Sequence, residues 1–311
     1  MSSPINISNR SDQPNPTIGF IGLGLLGKGL SIALSQIGYP VAGVYSRTRE
    51  SAQWAAGRIE GCLVYSQAQE LCDQVDLVFV TTPDGAIGQV VSEISWRPGQ
   101  GAVHCCGAAS EELLDPAAGQ GAATGAFHPC QTFAGLNDPG EALDRLRGVT
   151  FAVAGRGWVP EYLRGMAVAL GGNPITVPDG ARPLYHAASV MACGHLVALL
   201  TGAVRLWEGM GFTQEEAVRA LYPLCRSTLE NIAGNGLAAS ATGPAIRGDT
   251  ATIESHLDAL SGGFSELIPA YTALARDSLP IAQARGLDEQ QIAEISRLLG
   301  SFHRAGMAGM D

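Results

Sequence analysis

Two histidines and one serine are the side chains best suited, by type and spacing, to acid–base chemistry. His128 follows a short apolar run and is held by Pro129, and His186 begins a long apolar stretch. Ser189 lies three residues after His186, so the two share a face if that stretch is helical. Imidazole titrates near neutrality, so either histidine could donate a proton beside a carbon that receives a hydride. The alternative for each is a structural ring that is hydrogen-bonded inside the core.

Arg247 lies in the segment 242–250, which predicts a loop that opens a helix capped by Asp249 or Thr250. A guanidinium group binds carboxylates bidentately, so Arg247 is the candidate for holding a small anionic substrate. The alternative is a surface ion pair between Arg247 and Asp249. His256 lies about two turns into the following helix, and we expect it to have a packing role only.

A glycine-rich segment follows the first apolar run of the chain. The spacing is Gly22-x-Gly24-x-x-Gly27, with Leu25 and Leu26 inside it, between a predicted strand and a predicted helix. In this context Gly22 permits a tight turn, Gly24 lets the backbone approach a pyrophosphate, and Gly27 allows close packing of the helix. The first N–H groups of the helix then face the phosphates. The alternative is a glycine-rich turn without a ligand.

The end of the second predicted strand indicates which dinucleotide would bind. NAD-binding folds place an acidic residue there, on the ribose hydroxyls. This chain instead has the run Ser46, Arg47, Thr48 and Arg49. Hydroxyl and guanidinium groups suit a ribose 2′-phosphate, so the sequence favours NADP(H) over NAD. The alternative is an exposed basic loop.

The fourth predicted strand ends at Thr82, and Pro83 and Asp84 begin the helix that follows it. The carboxyl ends of parallel strands face the crevice in which ligands of such sheets bind. We therefore expect Thr82, Pro83 and Asp84 beside the nicotinamide ribose. A simple turn that starts a helix is compatible with the same residues.

Short apolar runs alternate with helical segments in the first part of the chain. This pattern predicts an α/β fold with a doubly wound, mostly parallel Rossmann sheet, followed by an all-helical domain. We expect a disordered tail over residues 1–15 and the NADP-binding domain over 16–179. A helical domain for substrate binding and dimerisation is expected over 180–311.

Three features organise the predicted helical domain. The stretch from Leu184 to Met210 predicts one buried helix, because it is mostly apolar and free of proline. Thr213 and Glu216 predict a capping box at the start of the next helix. The segment from Ser265 to Arg285 predicts a further helix.

The composition excludes several classes of function. The 311 residues include 19 basic and 29 acidic side chains, a formal net charge of -10, which argues against nucleic acid as a partner. The polar N-terminus is no signal peptide, and no uninterrupted apolar run reaches the roughly 18 residues of a membrane span. We therefore expect a cytoplasmic protein that does not enter the membrane. Seven scattered cysteines predict free thiols and no metal site.

The order of these motifs resembles a family of Rossmann-like NADP oxidoreductases whose C-terminal helical domain has no known function. Its relatives are pyrroline-5-carboxylate reductase, prephenate dehydrogenase, deazaflavin-dependent NADP reductases and proteins similar to ketopantoate reductase. The resemblance covers nearly the whole chain after the tail, through residues 22–27, 83–84, 125–133, 185–188, 242–249 and 256–257. It implies an NADP-linked oxidoreductase that forms a homodimer through the helical domain. Some members of such families are linked to ketopantoate reduction.

Two residues bear on the reaction class by comparison with these relatives. His128-Pro129 is similar to a pair in prephenate dehydrogenases, whose histidine contacts the substrate hydroxyl. Hydroxyisobutyrate and phosphogluconate dehydrogenases, and the well-known ketopantoate reductases, use a lysine in the helical domain. The only lysine of this chain is Lys28, in the glycine-rich segment. The proton donor must therefore be His, Ser, Thr or water.

Three functions remain open on the sequence alone. The first is an NADPH-dependent reductase of the carbonyl or imine of a small anionic metabolite, with His128 or His186 as the donor and Arg247 orienting the substrate. The second is an oxidation like that of prephenate dehydrogenase, for which the extra basic residues that bind a dicarboxylate are missing. The third is a non-catalytic NADP-binding sensor or scaffold.

Overall fold

The computed structural model describes residues 15–135, 138, 140–178 and 180–308 of the chain. The predicted tail lies outside the described residues except for its last position. The chain forms two compact units, of which the first ends at Cys193 and the second begins at Gly194. The domain boundary predicted after residue 179 stays a prediction, because the compact units divide one helix later.

An eight-stranded sheet forms the centre of the first unit. Its strands are β1 Ile18–Ile21, β2 Val41–Tyr45, β3 Leu63–Val64, β4 Leu77–Val80, β5 Gly101–His104, β6 Ala123–Pro129, β7 Thr150–Arg156 and β8 Asn173–Ile175. They are ordered β3-β2-β1-β4-β5-β6-β7-β8. All neighbouring strands pair in parallel except β6 and β7, which are antiparallel. The predicted doubly wound, mostly parallel sheet is confirmed.

Seven helices lie between the strands of this sheet in the described chain, and an eighth, α8, follows its last strand. They are α1 Leu25–Gln36, α2 Arg49–Ala56, α3 Ala68–Gln74, α4 Asp84–Ser92, α5 Asp115–Ala118, α6 Gly140–Leu146, α7 Val159–Ala169 and α8 Arg182–Ala192. Alternate strand residues face opposite sides, so Phe20 and Phe79 stack on one face with ring centroids 4.9 Å apart. Val78 and Val80 belong to the buried cluster on the other face. Burial on both faces explains why these strands are continuous apolar runs in the sequence.

The order of the strands decides which loops meet. Ile21 at the end of β1 lies beside Tyr45 of β2 and Val80 of β4. His104 at the end of β5 pairs with Val80 on one side and with Ala126 of β6 on the other. The segments that leave these strands therefore share one edge of the sheet. The chain reverses its direction of winding between β1 and β4, where ligands of such sheets bind.

The second unit is helical. Its helices are α9 Gly194–Gly209, α10 Gln214–Ser240, α11 Pro244–Arg247, α12 Thr250–Ser261, α13 Ile268–Asp277, α14 Leu279–Ala284 and α15 Glu289–Ala308. The predicted capping box is confirmed, because the Thr213 hydroxyl accepts from the Glu216 N–H while the Glu216 carboxylate accepts from Thr213. The predicted cap at Asp249 is also confirmed, since its carboxylate accepts from the N–H of Thr252 at 3.0 Å.

Two helix predictions in this region are wrong. The segment from Ser265 to Arg285 is a 3-10 turn followed by α13 and α14, because prolines occupy the first turns of both helices. The stretch from Leu184 to Met210 is divided between α8 and α9, with Cys193 between them at φ -118° and ψ -76°. It is also not buried, since α9 contains no buried residue. Apolar periodicity shows which residues share a face but not what covers that face.

By length and composition, the stretch Arg182–Gly209 would suffice to cross a membrane, and little of it is buried in the described structure. It consists of α8 with 11 residues and α9 with 16 residues. Neither helix alone reaches the roughly 20 residues that span a bilayer. The expectation of a protein outside the membrane stays a prediction.

Candidate active site

The glycine-rich segment forms a tight turn between β1 and α1. Gly22 has a φ of 97°, and its N–H donates to the carbonyl oxygen of Tyr45 at 2.8 Å. A Cβ atom on Gly22 would lie 2.8 Å from the backbone nitrogen of Thr82. A Cβ atom on Gly27 would collide with the carbonyl oxygen of Gly22, so this glycine lets α1 begin close to the strand end. The backbone itself therefore requires both glycines.

Gly24 differs from these two glycines, because nothing lies within 4 Å of the position that its Cβ would take. It is the N-cap residue of α1, and no side chain caps that helix. The N–H groups of Leu25, Leu26 and Gly27 thus have no partner within the helix. An open backbone at the positive end of a helix suits a diphosphate.

Thr82 follows β4 on the opposite side of this turn. Its Oγ1 atom is buried and has no hydrogen-bond partner among the described residues. The neighbouring Thr81 hydroxyl, by contrast, donates to the Gly22 carbonyl oxygen at 2.5 Å. An unsatisfied buried hydroxyl costs about 1–3 kcal/mol, which a polar ligand in the crevice would offset. Pro83 is the N-cap of α4, and Asp84 is exposed in its first turn.

The residues predicted to select NADP(H) follow β2 at the same edge of the sheet. Arg47 and Thr48 are exposed, and Ser46 is half-buried. Thr48 is the N-cap of α2 and makes no side-chain capping bond. The first turn of α2 and the Arg47 guanidinium therefore offer donors that a phosphate could accept from.

A cleft of about 360 Å³ lies beside the glycine turn. It is lined by Leu25, Leu26, Asp84, Cys105, Gly107, His128, Pro129, Gln131, Thr132, Phe133, Ala134 and His186. The predicted dinucleotide-binding residues of α1 and α4 and both candidate proton donors thus meet around one space. Their meeting follows from the sheet, because the segments that leave β1, β4, β5 and β6 share its edge.

His128 and His186 form an edge-to-face pair with ring centroids 6.1 Å apart and planes at 79°. The Nδ1 atom of His128 is hydrogen-bonded to the hydroxyl of Tyr185 at 2.8 Å. Gly107 lies against both imidazoles, since a Cβ atom there would be 2.7 Å from His128 Nε2 and 2.7 Å from His186 Cδ2. The Nε2 side of His128 therefore lies next to backbone that carries no side chain.

Two family models match the chain on either side of the β6–β7 connection. Residues 1–129 match the model of a Rossmann-like domain, and residues 149–278 match that of a Domain of unknown function (DUF2520). The chain is therefore similar to a Rossmann-like domain over its first part and to a DUF2520 domain over its second. No curated protein is similar enough in sequence to match it.

Solved structures share the fold over most of the chain. A Bacteroides fragilis protein proposed to be an NADP oxidoreductase has 23% identity and a TM-score of 0.66, over 87% of this chain and 97% of that one. The reductive aminase of Aspergillus terreus, solved with NADPH and ethyl-5-oxohexanoate, has 16% identity and a TM-score of 0.58, over 94% and 95%. The 1-pyrroline-5-carboxylate reductase of Streptococcus pyogenes has 14% identity and a TM-score of 0.56, over 93% and 98%. Likenesses at these identities show the fold alone.

The imidazole pair crosses the division between the two matched segments. His128 lies at the end of the Rossmann-like match, whereas Tyr185 and His186 belong to the DUF2520 match. All three residues nevertheless lie in the first compact unit, because that unit includes α8. The cleft is therefore completed by the first helix that follows the sheet.

His128 is neutral at neutral pH. Burial lowers its pKa to about 4, and the neighbouring His186 and the guanidinium of Arg182 lower it further than the Asp84 carboxylate raises it. The pKa of the Tyr185 hydroxyl is raised to about 12, first by burial and then by Cys130. Both groups are thus uncharged when the protein is at neutral pH.

His104 and Arg182 lie beside this pair, but sequence reasoning did not select them. His104 is fully buried, its Nδ1 accepts from the Cys106 N–H at 3.1 Å, and its Nε2 lies 3.1 Å from the Ser110 carbonyl oxygen. Burial lowers its pKa to about 4, with Arg182 the next cause. Both ring nitrogens contact the backbone, so His104 braces the segment after β5. Arg182 is 5% exposed and lies 3.5 Å from the Cys106 carbonyl oxygen.

Ser189 and Arg247 are the other two predicted catalytic residues. The Ser189 hydroxyl donates to the Tyr185 carbonyl oxygen at 3.1 Å and lies 3.4 Å from Cys130 Sγ, and Ser189 is not among the residues that line the described cleft. Arg247 is exposed at the end of α11 in the second unit, and its role stays a prediction. Gly107 and Tyr185 were missed as site residues. Gly107 lies three residues after the end of β5, and no spacing in the sequence distinguishes it as a site residue.

Proposed function

We propose that the protein is an NADP(H)-dependent oxidoreductase that reduces the carbonyl or imine of a small anionic metabolite. One observation carries the proposal: a single cleft brings the first turn of α1 together with His128 and His186. The solved proteins of the same fold include a 1-pyrroline-5-carboxylate reductase and a reductive aminase, the second of them solved with NADPH. The prediction of a cytoplasmic enzyme belongs to this proposal, and its seven free thiols suit a reducing compartment.

The residues present fit the dinucleotide. The open backbone at Gly24 and the N-terminus of α1 would hold the diphosphate, and the buried hydroxyl of Thr82 would gain a partner. Ser46, Arg47 and Thr48 would hold the 2′-phosphate, with Arg47 supplying charge-assisted hydrogen bonds. When bound, NADPH supplies a hydride. Pro83 and Asp84 would flank its ribose.

The cleft supplies a hydrogen-bond donor for the substrate. A neutral imidazole can polarise a carbonyl without being an imidazolium ion. Arg182 places a positive charge close enough to His128 to lower the pKa of that ring, and this potential favours an anionic substrate. Arg247 remains our candidate for the substrate carboxylate.

We also propose that a second copy of the chain covers α9 and α10. In α9 no residue is buried, and in the 27 residues of α10 only Ala217 is. Exposed large apolar side chains on the two helices include Val197, Leu199, Tyr222, Leu224, Leu229 and Leu237. The exposed ion pair between Arg226 and Glu230 suits a protein partner better than lipid. A twofold symmetric contact would place the same apolar face on both sides of the interface.

Titration with nucleotides and a substrate screen test the enzymatic proposal. We expect NADPH to bind more tightly than NADH, and we expect one of a set of 2-oxo acids and cyclic imines to consume NADPH, measured as loss of nicotinamide absorbance. Tight NADPH binding without turnover of any compound, and unchanged by His128→Ala, would instead indicate a sensor. Absence of NADPH binding would refute both.

A further inference from the structure

We propose that Tyr185 is a positioning residue that holds the proton of the neutral His128 ring on Nε2, so that the ring acts as a hydrogen-bond donor toward the cleft. The inference rests on the proposed function for its catalytic meaning. The proton assignment itself rests on the geometry of the two side chains.

The two rings come from different elements and meet at a fixed angle. His128 lies at the end of β6 and Tyr185 in the first turns of α8. Their centroids are 5.5 Å apart and their planes are at 89°. The phenol oxygen lies 2.8 Å from Nδ1. This leaves Nε2 on the side of Gly107 and of the cleft.

A single proton decides which way this hydrogen bond runs. A phenol has one O–H to donate, and Nδ1 is the ring nitrogen at hydrogen-bond distance from it. If the phenol donates, Nδ1 must be the unprotonated nitrogen, and a neutral ring then carries its hydrogen on Nε2. The raised pKa of Tyr185, about 12, keeps the phenol protonated and able to donate.

Burial and the groups around His128 keep the ring neutral. His186 and Arg182 from α8 face it, together with Asp84 from α4, and His104 at the end of β5 is close enough to be influenced by it. Burial of the ring, His186 and Arg182 together outweigh the single carboxylate, so the pKa of His128 lies at about 4. The ring therefore works through its N–H, not as an imidazolium ion.

The assignment distinguishes two directions of proton movement. With hydrogen on Nε2, the ring donates to a carbonyl oxygen or imine nitrogen, as a reductase requires. If the Nε2 proton passes to the substrate, the phenol proton can move to Nδ1. The imidazole then stays neutral, and the half-buried phenolate recovers a proton from water. With hydrogen on Nδ1, Nε2 would instead be a base toward a substrate hydroxyl.

Nitrogen NMR of isotopically labelled histidine in the intact protein tests the assignment without any activity measurement. Protonated and unprotonated ring nitrogens have well-separated shifts, and the His128 signals are identified by their loss in His128→Gln. We expect the wild-type ring to be protonated on Nε2, and in Tyr185→Phe we expect the two nitrogen shifts to converge as the tautomers mix. The matched control is Tyr271→Phe, which removes an equivalent 2.9 Å bond to His256 Nδ1 and should leave the His128 signals unchanged.

Kinetics give the second readout. In Tyr185→Phe we expect kcat to fall by roughly 10- to 100-fold, the range typical of lost support for a site residue, with the Kd for NADPH unchanged. Wild-type His128 protonated on Nδ1, or the same tautomer retained in Tyr185→Phe, would overturn the inference. If the tautomer is as expected but no substrate turns over, the proposed function fails while the positioning role of Tyr185 stands.

Discussion

Gly107 lies directly against the imidazole of His128, so that a single methyl group at position 107 would reach within 2.7 Å of Nε2. The contact is made by the segment that leaves β5, in which Cys105 and Cys106 are buried and the Cys106 N–H donates to His104 Nδ1. Because a Cβ there would also crowd His186, the spacing of the imidazole pair depends on a position with no side chain.

Replacing Gly107 with alanine should disturb the chemistry and spare the cofactor. We expect Gly107→Ala to lower kcat/KM by about 10- to 100-fold, because a displacement of an angstrom or less at a reacting group has effects of this size. The Kd for NADPH should stay within about twofold, a difference of less than 1 kcal/mol. Gly165→Ala is the control, since nothing lies within 4 Å of that Cβ position in α7. Equal activity of Gly107→Ala and Gly165→Ala would show that Gly107 does not help to position the imidazoles.

Gly24 allows binding to be separated from folding. Its φ of -71° is ordinary and its Cβ position is open, so Gly24→Ala should leave the urea midpoint unchanged. The added methyl group would, however, stand where the diphosphate approaches the backbone. We expect the Kd for NADPH, measured by calorimetry, to rise about 10-fold, equivalent to about 1.4 kcal/mol. An unchanged Kd would mean that the phosphates lie elsewhere.

Arg47 should determine the preference between the two nicotinamide cofactors. Loss of a charge-assisted hydrogen bond costs about 1.5–3 kcal/mol, so Arg47→Ala should weaken NADPH binding by roughly 10- to 100-fold. NADH has no 2′-phosphate, and its Kd should not change. Arg147→Ala replaces another exposed arginine, ion-paired with Asp144, and serves as the control. A parallel loss of NADH and NADPH binding would contradict the assignment.

His104, which is buried, and His128, which is half-buried, should make the protein less stable in mild acid. The pKa values of His104 and His128 are about 4 in the folded chain, against about 6.5 when unfolded. Between these values the unfolded chain binds more protons, so the free energy of unfolding falls as the pH falls, by up to about 1.4 kcal/mol per pH unit and residue. Above about pH 6.5 both rings are neutral in the folded and the unfolded chain, so they no longer lower the free energy of unfolding.

Urea unfolding at neutral pH and at about pH 5 measures this effect. His104→Gln should be less stable at both values but should lose less stability between them than the wild type, because one of the two titrating groups is gone. If the free energy of unfolding changes by the same amount between the two pH values in the wild type and in His104→Gln, His104 does not titrate as described.

The apolar surface of α9 and α10 gives a prediction about assembly. We expect the wild type to be a dimer by light scattering, and Leu229→Asp to dissociate it or weaken it by at least about 100-fold, since a charge is placed in an apolar interface. Val168→Asp changes an exposed apolar residue of α7 in the first unit and should remain dimeric. A monomeric wild type that co-sediments with lipid vesicles would contradict the proposal.

The strands of the sheet could be predicted because strands such as β1 and β4 are buried on both faces and so are uninterrupted apolar runs. The start of α10 was equally predictable, because Thr213 and Glu216 cap it by local hydrogen bonds. The exposure of the stretch from Leu184 to Met210 could not be predicted, since its apolar pattern is compatible with burial in the same chain or against another molecule. The start of α10 is fixed by contacts between neighbouring residues, whereas the stretch from Leu184 to Met210 depends on contacts with distant residues or with another molecule.

The same reasoning applies to the cleft. The glycine turn and His128 could be found because each follows an apolar run at the carboxyl end of a strand. Gly107 and Tyr185 could not be assigned, since their roles depend on β5 lying beside β6 and on α8 meeting the end of β6. No spacing in the sequence carries that information.

The two imidazoles are attached to very different supports. His128 belongs to an interior strand, paired with β5 on one side and with β7 on the other, whereas His186 belongs to a helix in which only Arg182 is buried. Amide protons of β6 should consequently exchange with solvent only on global opening, while those around His186 exchange through local fluctuation. His186 on α8 would then move to fit substrates of different size, while His128 on β6 would keep its position.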